Sequence, residues 1–83
     1  MDKKILIKQE LEYAVSGAHN KEVNAVIFLK DETKLVIHDI EWVESFSGIF
    51  GDELLTIKFG KNDRVVIKTA NVRDYNISTV RGM

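Results

Sequence analysis

The amino-acid sequence predicts a small domain of the mainly β (α+β) class, with four to five antiparallel strands in a meander and one short N-terminal helix. The apolar residues are led by Ile and Val, whose branched side chains suit pleated sheets. There is no proline among the 83 residues, and several stretches alternate apolar and polar residues. We expect such a sheet to curl or to close as a small barrel, and a two-layer arrangement with the helix across one sheet fits equally well.

Two stretches in the first half of the chain predict strands. Residues 22–29 carry apolar side chains at alternate positions, with further apolar residues between them, so both faces of this strand should be partly covered. Residues 34–46 alternate over a length that is unusual for one strand, and we expect a bend or bulge between Asp39 and Glu44. The alternation places five side chains of this second stretch on one face: Val36, His38, Ile40, Trp42 and Phe46.

The second half of the chain predicts a hairpin over residues 53–70. Residues 53–59 alternate with Leu55 and Ile57 inward, and the turn-forming residues 60–63 follow. The apolar pattern then runs on to residue 77, too far for one flat strand. A break near residues 70–71 is therefore expected.

The first twenty residues predict a short strand or extended start followed by one helix of two or three turns. Residues 5–7 are apolar between lysines, as in a strand. The helix is predicted from apolar residues at helical spacing, and Gly17 with the pair His19–Asn20 should end it.

Composition excludes several classes of protein. One domain spanning residues 1–83 is expected at this length, and the absence of cysteine excludes disulfides, thiolate metal sites and cysteine nucleophiles. The longest apolar run, residues 25–29, is far shorter than the ~20 residues of a membrane span. The apolar run at residues 5–7 is too short for a signal peptide. We expect a cytoplasmic protein without membrane contact, and a composition rich in Lys, Ile, Asn and Val favours a bacterial or phage accessory protein.

Charge is distributed unevenly along the chain. Residues 1–30 carry a net +1, residues 31–53 a net −6 and residues 54–83 a net +4, which together give the overall −1. The acidic residues Asp39, Glu41 and Glu44 form a predicted acidic stripe. Lysine and arginine on neighbouring strands could neutralise this stripe, as Lys58, Lys68 and Arg73 are placed to do. Alternatively, the stripe docks on a basic surface.

A loop is predicted at residues 47–52, where Ile49 and Phe50 stand between Gly48 and Gly51. The two glycines allow sharp turns, so the apolar pair could fold back as a lid over the core. Alternatively, the pair projects as an anchor for a partner. The predicted partner-binding residues are Ile49, Phe50, Asp39, Glu41, Glu44 and Asp52.

Reactive groupings are absent from the sequence. His38 and Asp39 are adjacent, but neighbours in a strand point to opposite faces, so His38 is expected to be half-buried among apolar residues rather than paired with Asp39. His19 is expected to be an exposed loop residue. We expect no enzyme activity, no cofactor and no metal.

The sequence therefore predicts a non-catalytic interaction or accessory module that binds another protein or self-associates. The alternative is a small nucleic-acid-binding domain that uses the basic C-terminal third, with Tyr75 as a stacking surface. The basic residues of that third are Lys58, Lys61, Arg64, Lys68, Arg73 and Arg81. The acidic middle of the chain disfavours this alternative.

Overall fold

The computed structural model describes residues 3–18 and 21–81. Within these ranges the chain forms one α-helix, six strands and one short 3₁₀ turn at Thr69–Asn71. The elements are α1 (Lys3–Ser16), β1 (Lys21–Leu29), β2 (Lys34–Ile37), β3 (Ile40–Ser47), β4 (Glu53–Phe59), β5 (Asp63–Lys68) and β6 (Val72–Arg81).

The predicted mainly β class with one helix is confirmed. The strands form two three-stranded antiparallel sheets, with the orders β2–β1–β6 and β3–β4–β5. The structure has one strand more than the predicted four to five, because the predicted strand at residues 34–46 is split at Asp39, where the chain passes from one sheet to the other. Within the described ranges the two sheets stay open and do not close into a barrel.

One core joins the helix to both sheets. Ile7 and Leu11, one helical turn apart on α1, are fully buried, and each such burial contributes roughly 1.5–3 kcal/mol. The inner faces of the sheets complete the cluster with Val23, Ala25, Ile27, Ile37, Ile40, Val43, Leu55, Ile57, Ile67, Val72 and Tyr75. The predicted inward positions of Leu55 and Ile57 are therefore confirmed.

The long stretch at residues 34–46 bends where a break was expected, but its faces differ from the prediction. Asp39 has a φ of +58°, its N–H donates to the Asn24 side chain at 3.1 Å, and the chain there leaves β2 for the other sheet. Ile37 and Ile40 are consequently both buried, three residues apart. A register shift between Ile40 and Trp42 then resets the alternation again.

These two irregularities correct the predicted grouping of residues 36–46. Of the five side chains placed on one face, only Ile40 is buried, and Val36, His38, Trp42 and Phe46 are exposed. His38 is exposed at the bend rather than half-buried among apolar neighbours.

The β4–β5 hairpin and the following break are confirmed. Phe59 pairs with Asp63 across the turn, in which Gly60 has a φ of +61°. The 3₁₀ turn at Thr69–Asn71 then separates β5 from β6, close to the expected break.

The N-terminal helix is longer than predicted. It begins at Lys3, so the expected strand or extended start is wrong. The helical spacing of Ile7 and Leu11, both fully buried, outweighs a short alternation. Gly17 follows the helix as predicted and donates its N–H to the Tyr13 carbonyl at 3.1 Å, whereas His19 and Asn20 lie outside the described residues. At fourteen residues, α1 does not meet the length and apolarity that a membrane span requires, nor does any other helix within the described ranges.

Candidate interaction surface

The turn that joins β3 to β4 is held by backbone hydrogen bonds at its base. The Gly48 N–H donates to the Asp52 carbonyl at 2.6 Å, and the Gly51 N–H donates to the Gly48 carbonyl at 3.0 Å. Gly51 has a φ of +82°, as hairpin loops of this length commonly require at their last residue. Residues 48–51 are called the tip loop below.

The tip loop presents its two apolar side chains to solvent. Ile49 is 96% exposed and Phe50 is 95% exposed. The alternative in which this pair covers the core as a lid is therefore wrong. Docking of the pair on a partner stays a prediction.

The base of the tip loop is linked to β5. The Lys68 Nζ lies 3.7 Å from the Asp52 Oδ2, and the Thr69 hydroxyl donates to the Glu53 carboxylate at 2.7 Å. Neutralisation of the acidic residues by neighbouring strands thus applies to Asp52. Lys58 lies opposite Trp42 and lines a depression together with Glu41, whereas the Arg73 guanidinium lies over the Phe28 ring at 5.8 Å.

The β3–β4–β5 sheet has an outer face that points away from the core. Its cross-strand rows place Trp42 beside Lys58 and Arg64, and Phe46 beside Leu54 and Lys68. Trp42 is 55% exposed and Phe46 is 47% exposed. The exposure of these two aromatic residues was not predicted, because an unbroken alternation places them on the same face as the buried Ile40.

The structure separates the acidic residues that the sequence grouped. Asp39 lies at the bend before β3 and Asp52 lies beyond the other end of that strand, which spans roughly 23 Å. Glu41 and Glu44 lie together between these ends and are both exposed. Asp52 is therefore separate from Glu41 and Glu44, and the stripe formed by Asp39, Glu41 and Glu44 stays a prediction.

Glu41 and Glu44 border a groove of about 510 Å³ between α1 and β3, called the α1–β3 groove. Its lining combines carboxylates with an apolar floor: Glu12, Val15, Ser16, Glu41, Trp42, Val43 and Glu44. The Trp42 Nε1–H donates to the Glu44 Oε2 at 3.4 Å, a long hydrogen bond. Glu12 was not predicted from sequence, because the packing of α1 on β3 has no local signal.

A second depression lies at the other side of Glu41, near the β4–β5 turn. Lys58, Lys61 and Arg64 line it together with Glu41 and Asp63. Three of the basic residues of the C-terminal third thus gather in one place, but two carboxylates accompany them.

Tyr75 belongs to the core and not to the surface. It is 3% exposed, so the prediction that it offers a stacking surface is wrong. Burial raises the pKa of Tyr75, and a hydrogen bond with Glu10 and the negative charges of Glu10 and Asp74 raise it further.

Several ionisable residues lie at exposed bends and turns. His38 and Asp39 stand at an exposed bend. Among residues 3–18 and 21–81, no three potential metal ligands lie close enough together to hold an ion. Asp31 has a lowered pKa because the Thr33 hydroxyl and N–H both donate to its carboxylate, as in an ordinary turn.

The fold and its surface define a small two-sheet α+β domain with an apolar tip loop and an acidic groove beside its helix. The chain matches no family model, no curated protein and no solved structure.

Proposed function

We propose that this chain is a non-catalytic interaction module, which binds a partner protein or a second copy of itself through the tip loop and the acidic residues of β3. The observation that carries the proposal is the almost complete exposure of Ile49 and Phe50 at the end of a hydrogen-bonded turn. Large apolar side chains that serve the core are buried. These two contribute nothing to the core and are held where a partner can reach them.

The geometry of the tip loop suits an anchor. Burying one such side chain against a partner contributes roughly 1.5–3 kcal/mol. The hydrogen bonds of Gly48 and Gly51 fix the turn before binding, so less conformational entropy is lost on association. An anchor that is held in place before it binds is typical of the residues that dominate interfaces.

The outer face extends this surface. Phe50, Phe46 and Trp42 together offer roughly 400 Å² of exposed aromatic area. A standard interface buries about 800 Å² on each partner. The tip loop alone is therefore too small, and the proposed interface includes neighbouring parts of the β3–β4–β5 sheet.

The acidic residues add electrostatic selection. Glu41 and Glu44 are exposed on the groove side of Trp42, where they attract a basic partner surface, whereas Lys58 and Arg64 stand beside Trp42 on the outer face of the sheet. Charges at the rim of an interface mainly raise the association rate and select the partner. Asp52 contributes less to this field because Lys68 lies beside it.

The test compares the double variant Ile49→Asp/Phe50→Asp with the matched control Tyr13→Asp/Val80→Asp. The control adds the same two charges at exposed apolar positions on α1 and β6. Sedimentation over a range of concentrations measures self-association, and quantitative capture with the tagged protein from its source cells measures binding to other proteins. We expect the tip-loop variant to lose whichever association the wild type shows, and the control to retain it. Equal association by both variants would contradict the proposal.

Nucleic-acid binding is the second candidate, because Lys58, Lys61 and Arg64 line one depression and Lys58 lies opposite Trp42 on the adjacent strand. Its site would be this depression and the outer face, since Tyr75 is buried. A labelled single-stranded oligonucleotide, titrated at low and moderate salt, tests it. A real phosphate site gives an affinity that falls steeply with salt, and absence of binding at low salt would exclude this candidate.

A further inference from the structure

We propose that the α1–β3 groove binds an extended basic segment of a partner protein, with a lysine or arginine side chain lying on Trp42 between carboxylates. This inference rests on the proposed function and specifies the chemistry of the partner. It concerns a surface that is distinct from the tip loop.

The groove follows the free edge of a strand. Trp42 and Val43 are consecutive in β3 and point to opposite faces of the sheet, yet both line the groove. The groove therefore runs along the strand edge and not over either face. Within the described ranges, β3 pairs with β4 alone, so its other edge is not paired with a strand. An extended peptide can add to such an edge through backbone hydrogen bonds.

The floor of the groove suits the stem of a long side chain. Val15 of α1 lines it together with Trp42 and Val43 of β3, and Trp42 is about half exposed. Lysine and arginine bury an aliphatic stem on apolar surface and keep the charged head at the rim. Tryptophan is also the best aromatic partner for a cation.

The rim selects the charge of the occupant. Glu12 stands on the helix side, with Glu41 and Glu44 on the strand side. Lys8 lies 3.4 Å from Glu12 and offsets part of its charge, and Lys58, Lys61 and Arg64 line the neighbouring depression on the other side of Glu41. Among the described residues the groove lining carries three carboxylates and no lysine or arginine, which favours a basic segment over nucleic acid or an acidic peptide inside the groove.

Tryptophan fluorescence offers a direct measurement, because Trp42 is the only tryptophan of the chain. The probe is a capped octapeptide of alternating arginine and valine, compared with a glutamate–valine peptide of the same length. We expect the arginine peptide to change the Trp42 emission with a saturable dependence on concentration. The acidic peptide should leave the emission unchanged, and added salt should weaken binding of the arginine peptide.

The variant Glu41→Gln/Glu44→Gln removes the two strand-side charges. We expect it to bind the arginine peptide about tenfold more weakly, since two exposed charge contacts are lost. The control Asp31→Asn/Glu32→Gln removes two charges from the β1–β2 turn and should bind like the wild type. Equal affinity of the groove variant and the control, or an equal response to both peptides, would overturn the proposal.

The outcomes also separate this inference from the proposed function. The tip-loop variant Ile49→Asp/Phe50→Asp should still bind the arginine peptide. If no peptide binds while capture depends on the tip loop, the groove inference is wrong and the proposed function stands. If the peptide binds while capture is independent of the tip loop, the proposal that the tip loop binds a partner is wrong and the groove inference stands. Self-association that Glu41→Gln/Glu44→Gln abolishes would identify a second copy as the occupant and overturn the proposal of a separate basic partner.

Discussion

The Lys68 Nζ lies 3.7 Å from the Asp52 Oδ2, and this ion pair links the base of the tip loop to the far strand of the β4–β5 hairpin. Together with the backbone hydrogen bonds of Gly48 and Gly51, this ion pair stabilises the base of the turn. The two residues at the tip have no part in these contacts. The tip loop is thus fixed in place without its apolar side chains being used for folding.

The first prediction concerns the stability of tip-loop variants. We expect Ile49→Asp/Phe50→Asp to change the free energy of unfolding by less than about 0.5 kcal/mol, because neither side chain is buried. Leu55→Ala, which truncates a fully buried core residue, should cost about 2–5 kcal/mol. Urea unfolding followed by circular dichroism measures both. A large loss in the tip-loop variant would place the pair in the core after all.

The second prediction concerns Gly51, whose φ is +82°. Gly51→Ala should reduce the free energy of unfolding by about 1 kcal/mol, because a β-carbon disfavours the left-handed region. Gly51→Asn should cost less, since asparagine adopts this region more readily. Apart from Gly51 and its two neighbours in the chain, no heavy atom of the described residues lies within 4 Å of the position a β-carbon would take, so a difference between the two variants reports backbone conformation and not crowding. Equal stability of Gly51→Ala and the wild type would refute this account.

The third prediction concerns the bend at Asp39, with a φ of +58°. Asp39→Gly should be tolerated within about 0.5 kcal/mol, because glycine adopts a positive φ without steric cost. Asp39→Val should cost about 1–3 kcal/mol, since a β-branched residue is strained there. Thermal unfolding of the two variants distinguishes them. If valine is as stable as glycine, the positive φ does not set the bend.

Sequence patterns correctly predicted the strands for which the whole predicted stretch belongs to one sheet. β1 alternates buried and half-buried residues and β4 buries Leu55 and Ile57 on its inner face, and the bounds of both strands agree with the prediction to within a residue. The pattern failed between Ile37 and Val43, where the bend and the register shift each move the inward position by one residue. A single aspartate in an acidic stretch carries no signal of its positive φ.

Only those parts of the candidate surface that are formed by residues close together in the sequence could be predicted. Ile49 and Phe50 were found because glycines flank them, although sequence could not decide between a lid and an anchor. The α1–β3 groove brings Glu12 together with Glu44, which is far along the chain, and such packing has no local pattern. Tyr75 was misplaced because its stretch mixes polar and apolar residues, and its burial depends on the helix packed against it.

The fourth prediction concerns alkaline pH and Tyr75. Its pKa in the folded chain is raised above the ordinary value of 10.0, chiefly by burial. As the pH rises above about 10, the unfolded chain releases a proton that the folded chain keeps, so folding becomes less favourable. This contribution to stability is complete below that pH and is lost at higher pH, by at most about 1.4 kcal/mol per pH unit.

The measurement uses a Tyr13→Phe background, in which Tyr75 is the remaining tyrosine of the chain. We expect the near-ultraviolet absorbance of the phenolate to appear together with the loss of circular dichroism, because Tyr75 ionises only as the chain unfolds. The further variant Tyr75→Phe is the control, and its free energy of unfolding should fall less steeply above about pH 10. The lysines titrate in both proteins, so the difference between the two slopes isolates the phenol. Ionisation of Tyr75 near its ordinary pKa in a chain that keeps its circular dichroism would show that its hydroxyl is accessible to water.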